Sequence, residues 1–437
     1  MDAQLLLDVF IILGVMLALL LSGMEIFAAL GIGGMVGLFL WGGGPAALET
    51  TAGFAWNTVN SWTLTALPLF VFMALLFERS GLSTQAFNVV MNWLGQAKGG
   101  LALASIGFGA IFSSISGSST ATAAAIGTLA IPEMEKRNYS PRYLLGALSA
   151  GGTLGILIPP SIAMIIYGAM TETSVGRLFI GGIIPGIMLS GLFMLFLWVR
   201  AKMNPSLAPY MSGVSWRERF MSLSWLLPVI VVLSAILGGI YFGVVTPTEA
   251  AGVGAFSTMI LIIAYKRFSF KVLMDSLWGS VRVTSMILLI MVGASILSSA
   301  LTSFGTGQAL ARFVDEAGLS PWTLFVAIAF IYLMMGCFLD GISMMIMTIP
   351  FFFPLIRKAG LDPVWFGVVL VILIEISLLT PPVGINLFVI QGLVKDRYNF
   401  NDVVWGALPF IIIMAMVIVI LSLFPHLILW LPSKMIG

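Results

Sequence analysis

The stretch Ser113-Ser-Ile-Ser-Gly-Ser-Ser-Thr-Ala-Thr122 is dense in hydroxyl groups, although the segments on both sides of it are almost entirely apolar. Irregular backbone at the depth of the lipid core persists only where protein or a water-filled cavity surrounds it. The flanking apolar pieces, about 99 to 112 and 119 to 132, are both shorter than the roughly 17 to 25 residues of a membrane span. The stretch therefore predicts a re-entrant hairpin with a polar tip.

A second interruption follows this hairpin at Gly155-Ile-Leu-Ile-Pro-Pro-Ser161. Two consecutive prolines remove two amide donors and clash with the preceding turn, so they predict a helix that is split into two halves. Near the other end of the chain, Asp340-Gly-Ile-Ser343 and Thr380-Pro-Pro-Val-Gly-Ile-Asn386 interrupt two apolar stretches in the same order. These pairs predict a second hairpin and a second split helix.

The two pairs of interruptions have the same spacing. The separation is 41 positions from Ser118 to Pro159 and again 41 positions from Asp340 to Pro381. Interrupted hydrophobic segments in corresponding positions of two halves are the best sequence indication of a transporter's binding site.

The composition excludes several classes of protein. Hydrophobic residues make up 60% of the chain and charged residues 9%, with a mean hydropathy of +1.10, whereas a soluble domain carries about 25% charged residues. The chain is therefore a polytopic protein of a lipid bilayer, and nucleic acid is not a plausible ligand. The single Cys337 and the single His426 exclude an internal disulfide and any cysteine- or histidine-based metal site. Without a hydrolytic pattern or a phosphate-binding loop, an enzyme or an ATP-driven pump is not expected.

The remaining apolar segments predict an inverted repeat of two halves, each with five spans, one re-entrant hairpin and a proline-split helix among its spans. The unbroken spans are expected at 4 to 21, 26 to 42, 58 to 77, 178 to 199, 223 to 243, 248 to 265, 286 to 303 and 403 to 431. An odd number of crossings per half places the halves in opposite orientations. Polar stretches at 78 to 98 and 266 to 282 are expected to lie along the interface.

These segments divide the chain into five parts. Scaffold spans with an interfacial arm occupy 1–98 and again 223–320, transport repeats occupy 99–200 and 321–437, and a cytoplasmic linker joins the halves at 201–222. Lys and Arg are concentrated in the loops that share a side with this linker, which by the positive-inside rule places both termini in the periplasm.

The tips and breaks expose carbonyls, amides and hydroxyls that regular helices would pair. Such oxygens suit Na+, and the helix N-termini beside them suit an anionic substrate. The expected sodium-binding residues are Ser116, Gly117, Ser118, Ser119, Gly155, Ile158, Asp340, Gly341, Thr380 and Pro381, and the expected substrate-binding residues are Ser119, Thr120, Ser161, Ser343 and Asn386. The alternative is that small residues only allow close helix packing.

Three acidic residues lie within or beside apolar segments. Asp340 either takes part in a binding site or caps the helix that begins at Gly341. Glu375, in an otherwise apolar run, is expected to pair across helices and hold a moving unit together, in preference to contacting the substrate directly. Glu249 follows Pro247 and is expected in the first turn of a helix.

At these residues the sequence resembles the large membrane subunit of a tripartite ATP-independent periplasmic (TRAP) transporter. Besides the two proline phrases, Ser116-Gly-Ser-Ser-Thr-Ala-Thr-Ala-Ala124 and Thr246-Pro-Thr-Glu-Ala-Ala251 carry the resemblance, which covers essentially the whole chain. It implies sodium-coupled uptake of an organic acid across a bacterial inner membrane by an elevator motion. It also implies a periplasmic substrate-binding protein and a small four-helix membrane subunit, here expected as a separate chain.

Two other functions stay open at this stage. A stand-alone sodium/dicarboxylate symporter would share the doubled hairpins and need no binding protein. A proton-coupled organic anion exchanger is suggested by Asp340 and Glu375.

Overall fold

The computed structural model describes residues 3–42, 44–209, 213–336 and 339–436, so that Cys337 lies outside the described residues. Every regular element in these ranges is helical. Seven of the described helices are long and apolar enough to cross a membrane. The chain is therefore an all-α, polytopic membrane protein.

The first half contains eleven helices within the described ranges. They are α1 (Ala3–Leu21), α2 (Ile26–Gly42), α3 (Pro45–Leu48), α4 (Thr50–Val59), α5 (Ala66–Arg79), α6 (Leu82–Leu94), α7 (Gly100–Ser116), α8 (Ser119–Lys136), α9 (Pro141–Gly152), α10 (Ile162–Thr171) and α11 (Val175–Met203). A short 3-10 turn precedes α5 and another, Thr153–Ile156, follows α9. The hairpin α7–α8 and the split helix α9–α10 thus form where the polar interruptions predict them.

The second half contributes ten described helices. They are α12 (Trp216–Tyr241), α13 (Pro247–Ala264), α14 (Phe270–Ser303), α15 (Thr306–Glu316), α16 (Pro321–Met335), α17 (Gly341–Lys358), α18 (Pro363–Leu379), α19 (Ile385–Val394), α20 (Phe400–Leu423) and α21 (His426–Leu429). Here α16–α17 is the second hairpin, and α18–α19 is the second split helix.

The structure corrects several predicted boundaries. The expected interfacial stretch 266 to 282 and the span 286 to 303 form the single helix α14, because Ser269 caps its start and the polar residues of its first half continue the same helical path. The linker is shorter than predicted, since α11 extends to Met203 and α12 begins at Trp216. The last span ends at Leu423, before Pro425. The span expected at 58 to 77 is formed by the 3-10 turn Trp62–Thr65 and α5, which ends at Arg79. The helices α3, α4 and α15 are additional elements that the sequence analysis did not predict.

Glycine residues allow the helices to cross at short distances, as is usual for helices in a membrane. A Cβ atom at Gly34 of α2 would lie 2.5 Å from the backbone nitrogen of Leu297 in α14. A Cβ atom at Gly146 of α9 would lie 2.1 Å from the carbonyl oxygen of Gly406 in α20. These contacts pack α2 on α14 and the first split helix on α20, which joins the two halves of the chain.

Candidate functional site at the hairpin tips and helix breaks

The tip of the first hairpin is a tight turn between two helices. Gly117 ends α7 with a φ of +59°, a left-handed conformation that costs glycine little and other residues more. Ser118 then takes an extended conformation and caps α8, with its hydroxyl accepting a hydrogen bond of 3.4 Å from the amide of Ala121. The positive end of α8 therefore begins at the polar tip, as the sequence predicts.

The turn is held by its own side chains. The Ser116 hydroxyl donates to the Ser118 carbonyl at 3.0 Å and lies 3.1 Å from the Thr122 hydroxyl. The same Ser118 carbonyl accepts from the amide of Thr122 at 3.0 Å and from its hydroxyl at 2.8 Å. Three donors occupy this carbonyl oxygen, which leaves it poorly suited to hold a cation as well. The role of Thr122 was not predicted, although its i+4 spacing from Ser118 is the signal for such a bond.

The first hairpin tip packs directly against the first helix break. A Cβ atom at Gly155 would lie 2.5 Å from both the carbonyl oxygen of Ser118 and the Cα of Ser119. On the other side of the break, a Cβ atom at Gly117 would lie 3.1 Å from the side chain of Ile162. The first hairpin therefore packs against the first split helix.

The side chain of Ser161 connects the two sides of the first break. Its hydroxyl donates to the carbonyl oxygen of Ile156 at 2.5 Å and accepts from the amide of Met164 at 3.3 Å, so that it caps α10. Ser161 is fully buried, and its hydrogen-bonding capacity is largely used within the break. Ile158 instead lines an apolar cavity of about 470 Å³ between α7, α11 and α12.

Ser119 differs from its neighbours because its hydroxyl forms a hydrogen bond outside the tip. It donates a hydrogen bond to Oε1 of Glu375 on α18, 256 positions further along the chain. Glu375 is 0% exposed, and the backbone of Ile156 in the first break also contacts its carboxyl group. The pairing across helices that was predicted for Glu375 is confirmed, and the structure adds its partner. This one side chain connects the first hairpin, the first break and the second split helix.

Thr120 lies at the outer side of the same tip. Its hydroxyl is 3.2 Å from the hydroxyl of Ser118, and its side chain is half-buried. The structure therefore brings together the predicted residues of the first tip and Gly155 of the first break, with Glu375 behind them.

At the second hairpin, Asp340 is the N-cap of α17. Its carboxylate accepts a hydrogen bond of 3.0 Å from the amide of the buried Ser343, which is the capping role considered in the sequence analysis. This hairpin packs on α18. A Cβ atom at Gly341 would lie 2.4 Å from the side chain of Ile374.

The second break is more open than the first. Thr380 ends α18, with its hydroxyl donating to the carbonyl oxygen of Ile376 at 2.8 Å, and Pro381 is exposed whereas Pro159 is buried. Asn386, in the first turn of α19, is fully buried, and neither its Oδ1 nor its Nδ2 has a hydrogen-bond partner among the described residues. No described hydrogen bond therefore joins Asn386 to either hairpin.

The oxygen-rich tips and breaks suit Na+ by the chemistry of their donors. The hydroxyl of Ser119, the side-chain oxygen of Asn386 and the carbonyls released at the breaks are hard oxygen atoms in a buried setting. Among the described residues, no group of three or more His, Cys, Asp or Glu residues is arranged to bind a metal ion. The arrangement suits a monovalent cation beside an anion held by helix dipoles better than a multivalent metal centre.

A cleft lies between α4, α14 and α17. It has a volume of about 490 Å³ and is lined by Asn57 and Thr58 of α4, Ser295 and Ser298 of α14, and Pro350 of α17. An adjoining cavity of about 330 Å³ continues it toward α15. None of the predicted site residues lines either of these two spaces.

Hairpins and split helices packed in a polytopic α-helical bundle define a membrane transporter. The solved structure of Neisseria gonorrhoeae MtrF, described as belonging to a class of antimetabolite efflux pumps, has a similar fold, with a TM-score of 0.61. It is 14% identical and the match covers 88% of this chain and 83% of that one, so the likeness concerns the fold.

The family follows from the sequence. Residues 13–427 match the model of the tripartite ATP-independent periplasmic transporter, DctM component, and the chain belongs to this family. The C4-dicarboxylate TRAP transporter large permease protein DctM of Pseudomonas aeruginosa is 34% identical over 93% of this chain and 94% of its own length. The isethionate TRAP transporter permease protein DctMQ of Oleidesulfovibrio alaskensis is 30% identical over 95% of this chain and 65% of its own length. The chain is thus a TRAP large permease, which is a transporter and not an enzyme.

Proposed function

We propose that this chain carries out sodium-coupled secondary uptake of an organic acid that a periplasmic binding protein delivers. The observation that carries the proposal is the first hairpin tip, where Ser119 faces Glu375 and Gly155 packs on the turn. Oxygen donors and a helix N-terminus meet there, which suits Na+ beside a carboxylate or a similar anion. The two relatives described above are named for a C4-dicarboxylate and for isethionate, both of which are organic acids.

The proposed mechanism is an elevator motion of two inverted repeats. Each half has a hairpin, a split helix and a long final span in the same order, which supports a repeat. Both hairpins contact α18, the first through Glu375 and the second through Ile374. A unit held together in this way would move as one body past α2, α5, α13 and α14.

The proposed assembly includes two partners in a bacterial inner membrane. One is a small four-helix membrane subunit on a separate chain, and the other is the periplasmic binding protein. The isethionate relative is named DctMQ and is longer than this chain. Its name and length support a small subunit that is fused to the large subunit in that protein. Both termini of this chain are proposed to lie in the periplasm.

Reconstituted transport tests this proposal. The ligand of the binding protein is first found by thermal-shift screening of organic acids, and uptake of that acid is then measured in proteoliposomes that contain both membrane subunits. Uptake should require an inward sodium gradient and the binding protein. Full-rate uptake by the large subunit alone would instead favour a stand-alone sodium/dicarboxylate symporter. Uptake that ignored sodium and followed the pH gradient would favour a proton-coupled exchanger.

A further inference from the structure

Glu375 is an isolated acid in the interior of the protein. It is fully buried on α18, between residues that are otherwise apolar, and it forms none of the ion pairs found among the described residues. Its Oε1 accepts the hydrogen bond from Ser119, and the backbone of Ile156 also contacts the carboxyl group, while Oε2 has no hydrogen-bond partner in the described part of the chain. A buried carboxyl group with so few partners is costly, which indicates a role beyond packing.

The hydroxyls of the first hairpin tip divide into two kinds. Ser116 and Ser118 keep their hydrogen bonds inside the turn, with Thr122 and Thr120 as neighbours. Ser119 alone among these serines donates its proton to another part of the molecule. A serine hydroxyl has one proton and two lone pairs. Because the proton of the Ser119 hydroxyl points at Glu375, both lone pairs of its oxygen point away from that acid.

The direction of the proton matters for a cation. A hydroxyl that points its proton at Na+ repels the ion, whereas one that turns its lone pairs toward the ion binds it. A hydrogen-bond acceptor on the far side of the hydroxyl holds the proton away from the cation site before the ion binds. This is the arrangement in which supporting groups fix the orientation of a ligand.

We infer that Glu375 is a positioning residue, which orients the Ser119 hydroxyl so that its oxygen serves as a cation ligand at the first hairpin tip. The inference rests on the proposed sodium-coupled function. It requires a hydrogen-bond acceptor at position 375. It assigns to Glu375 no direct contact with the substrate.

Two variants of Glu375 test the inference. Glu375→Gln keeps an acceptor oxygen and nearly the same volume, whereas Glu375→Leu removes the acceptor. Sodium dependence is measured in two ways, as the sodium concentration for half-maximal uptake and as the rise in unfolding temperature that NaCl, compared with choline chloride, gives the purified protein. Glu375→Leu should raise the half-maximal sodium concentration on the order of tenfold, which corresponds to the loss of one hydrogen bond. Glu375→Gln should stay close to the wild type in both measurements.

The double variant Ser119→Ala/Glu375→Leu gives an independent check. If Glu375 acts through Ser119, the double variant should respond to sodium no more weakly than Ser119→Ala alone. An unchanged sodium response in Glu375→Leu would overturn the inference, and so would a loss in Glu375→Gln as large as that in Ser119→Ala. If Glu375→Leu does not fold, Glu375→Met, which is closer to glutamate in length and also lacks an oxygen acceptor, takes its place and should show the same loss of sodium response.

The wild-type protein separates this inference from the proposed function. Wild-type uptake that does not need sodium, together with no stabilisation by NaCl, would mean that the sodium coupling itself is wrong. Sodium-dependent wild-type uptake with an unaffected Glu375→Leu variant would mean that only the positioning role is wrong.

Discussion

The Cα atom of Gly155 faces the carbonyl oxygen of Ser118 so closely that a Cβ atom at position 155 would lie 2.5 Å from this oxygen. Both groups belong to backbone, which cannot move aside as the end of a flexible side chain can. The contact therefore fixes how the first hairpin tip sits against the first helix break. Only glycine at this position allows the tip and the break to approach this closely.

We expect Gly155→Ala to destabilise the protein, because the added methyl group must push the hairpin tip away from the break. Overpacking of this kind costs about 1–3 kcal/mol. The measurement is the unfolding temperature of the purified protein in detergent, combined with uptake in proteoliposomes. Gly191→Ala on α11 is the matched control, since no atom lies within 4 Å of its added Cβ. Equal stability of the two variants would contradict the close approach.

The second hairpin offers a test by rescue. A Cβ atom at Gly336 would lie 2.0 Å from the Cβ and 2.1 Å from the hydroxyl of Ser377 on α18. Gly336→Ala should therefore destabilise the protein by about 1–3 kcal/mol. In the double variant Gly336→Ala/Ser377→Gly the obstructing side chain is gone, so the unfolding temperature should recover in part. The recovery is incomplete because a glycine inside a helix costs about 1 kcal/mol. A double variant less stable than either single one would show that the two residues do not face each other.

Polar interruptions and prolines allowed much of this architecture to be predicted from the sequence. The tip at Ser116 to Ser119 and the break at Pro159 are local features, since glycine conformation, helix capping and missing amides all act within a few residues. For the same reason the first-turn position of Glu249 was correctly predicted. Asp340 as a helix cap was one of two alternatives that the same local rules had left open.

The contacts between distant parts of the chain could not be predicted in detail. That Glu375 would pair across helices followed from its burial, but its partner Ser119 lies 256 positions away, and only the packed fold selects it. The continuous helix α14 was also missed. Its first half is polar, and a polar segment next to a span is interpreted as interfacial when the helices that pack against it are unknown. The α15 helix was missed because its polar sequence lacks the apolar run by which the spans were recognised.

The loop before α13 permits a prediction about helix capping. Thr246 accepts a hydrogen bond of 3.3 Å from the amide of Glu249, whose carboxylate in turn accepts one of 2.8 Å from the amide of Thr246. Thr246→Ala removes the first of these bonds and should lower the free energy of unfolding by about 1 kcal/mol. Thr248→Ala, in the same turn but outside this capping box, is the control and should have a smaller effect. The unfolding temperature of each purified variant gives the comparison, and equal losses would contradict the capping role.

The orientation of the two hairpins is the last prediction. If the halves are inverted, the open ends of the hairpins face opposite sides, so position 136 at the end of α8 lies in the cytoplasm and position 358 at the end of α17 in the periplasm. The test introduces Lys136→Cys or Lys358→Cys into a Cys337→Ser background, because Cys337 is the one native cysteine. A membrane-impermeant maleimide should then label position 358 in intact spheroplasts and position 136 only in inverted vesicles.

The parent Cys337→Ser protein serves as the control for background labelling in both preparations. Because Lys358 forms an ion pair with Asp315, uptake by the Lys358→Cys variant is measured to verify that the hairpin keeps its structure. Exposed ion pairs of this kind contribute about 0–1 kcal/mol, so the variant should remain folded. Labelling of both positions from the same side would contradict the inverted repeat. It would also contradict the elevator mechanism, which depends on that repeat.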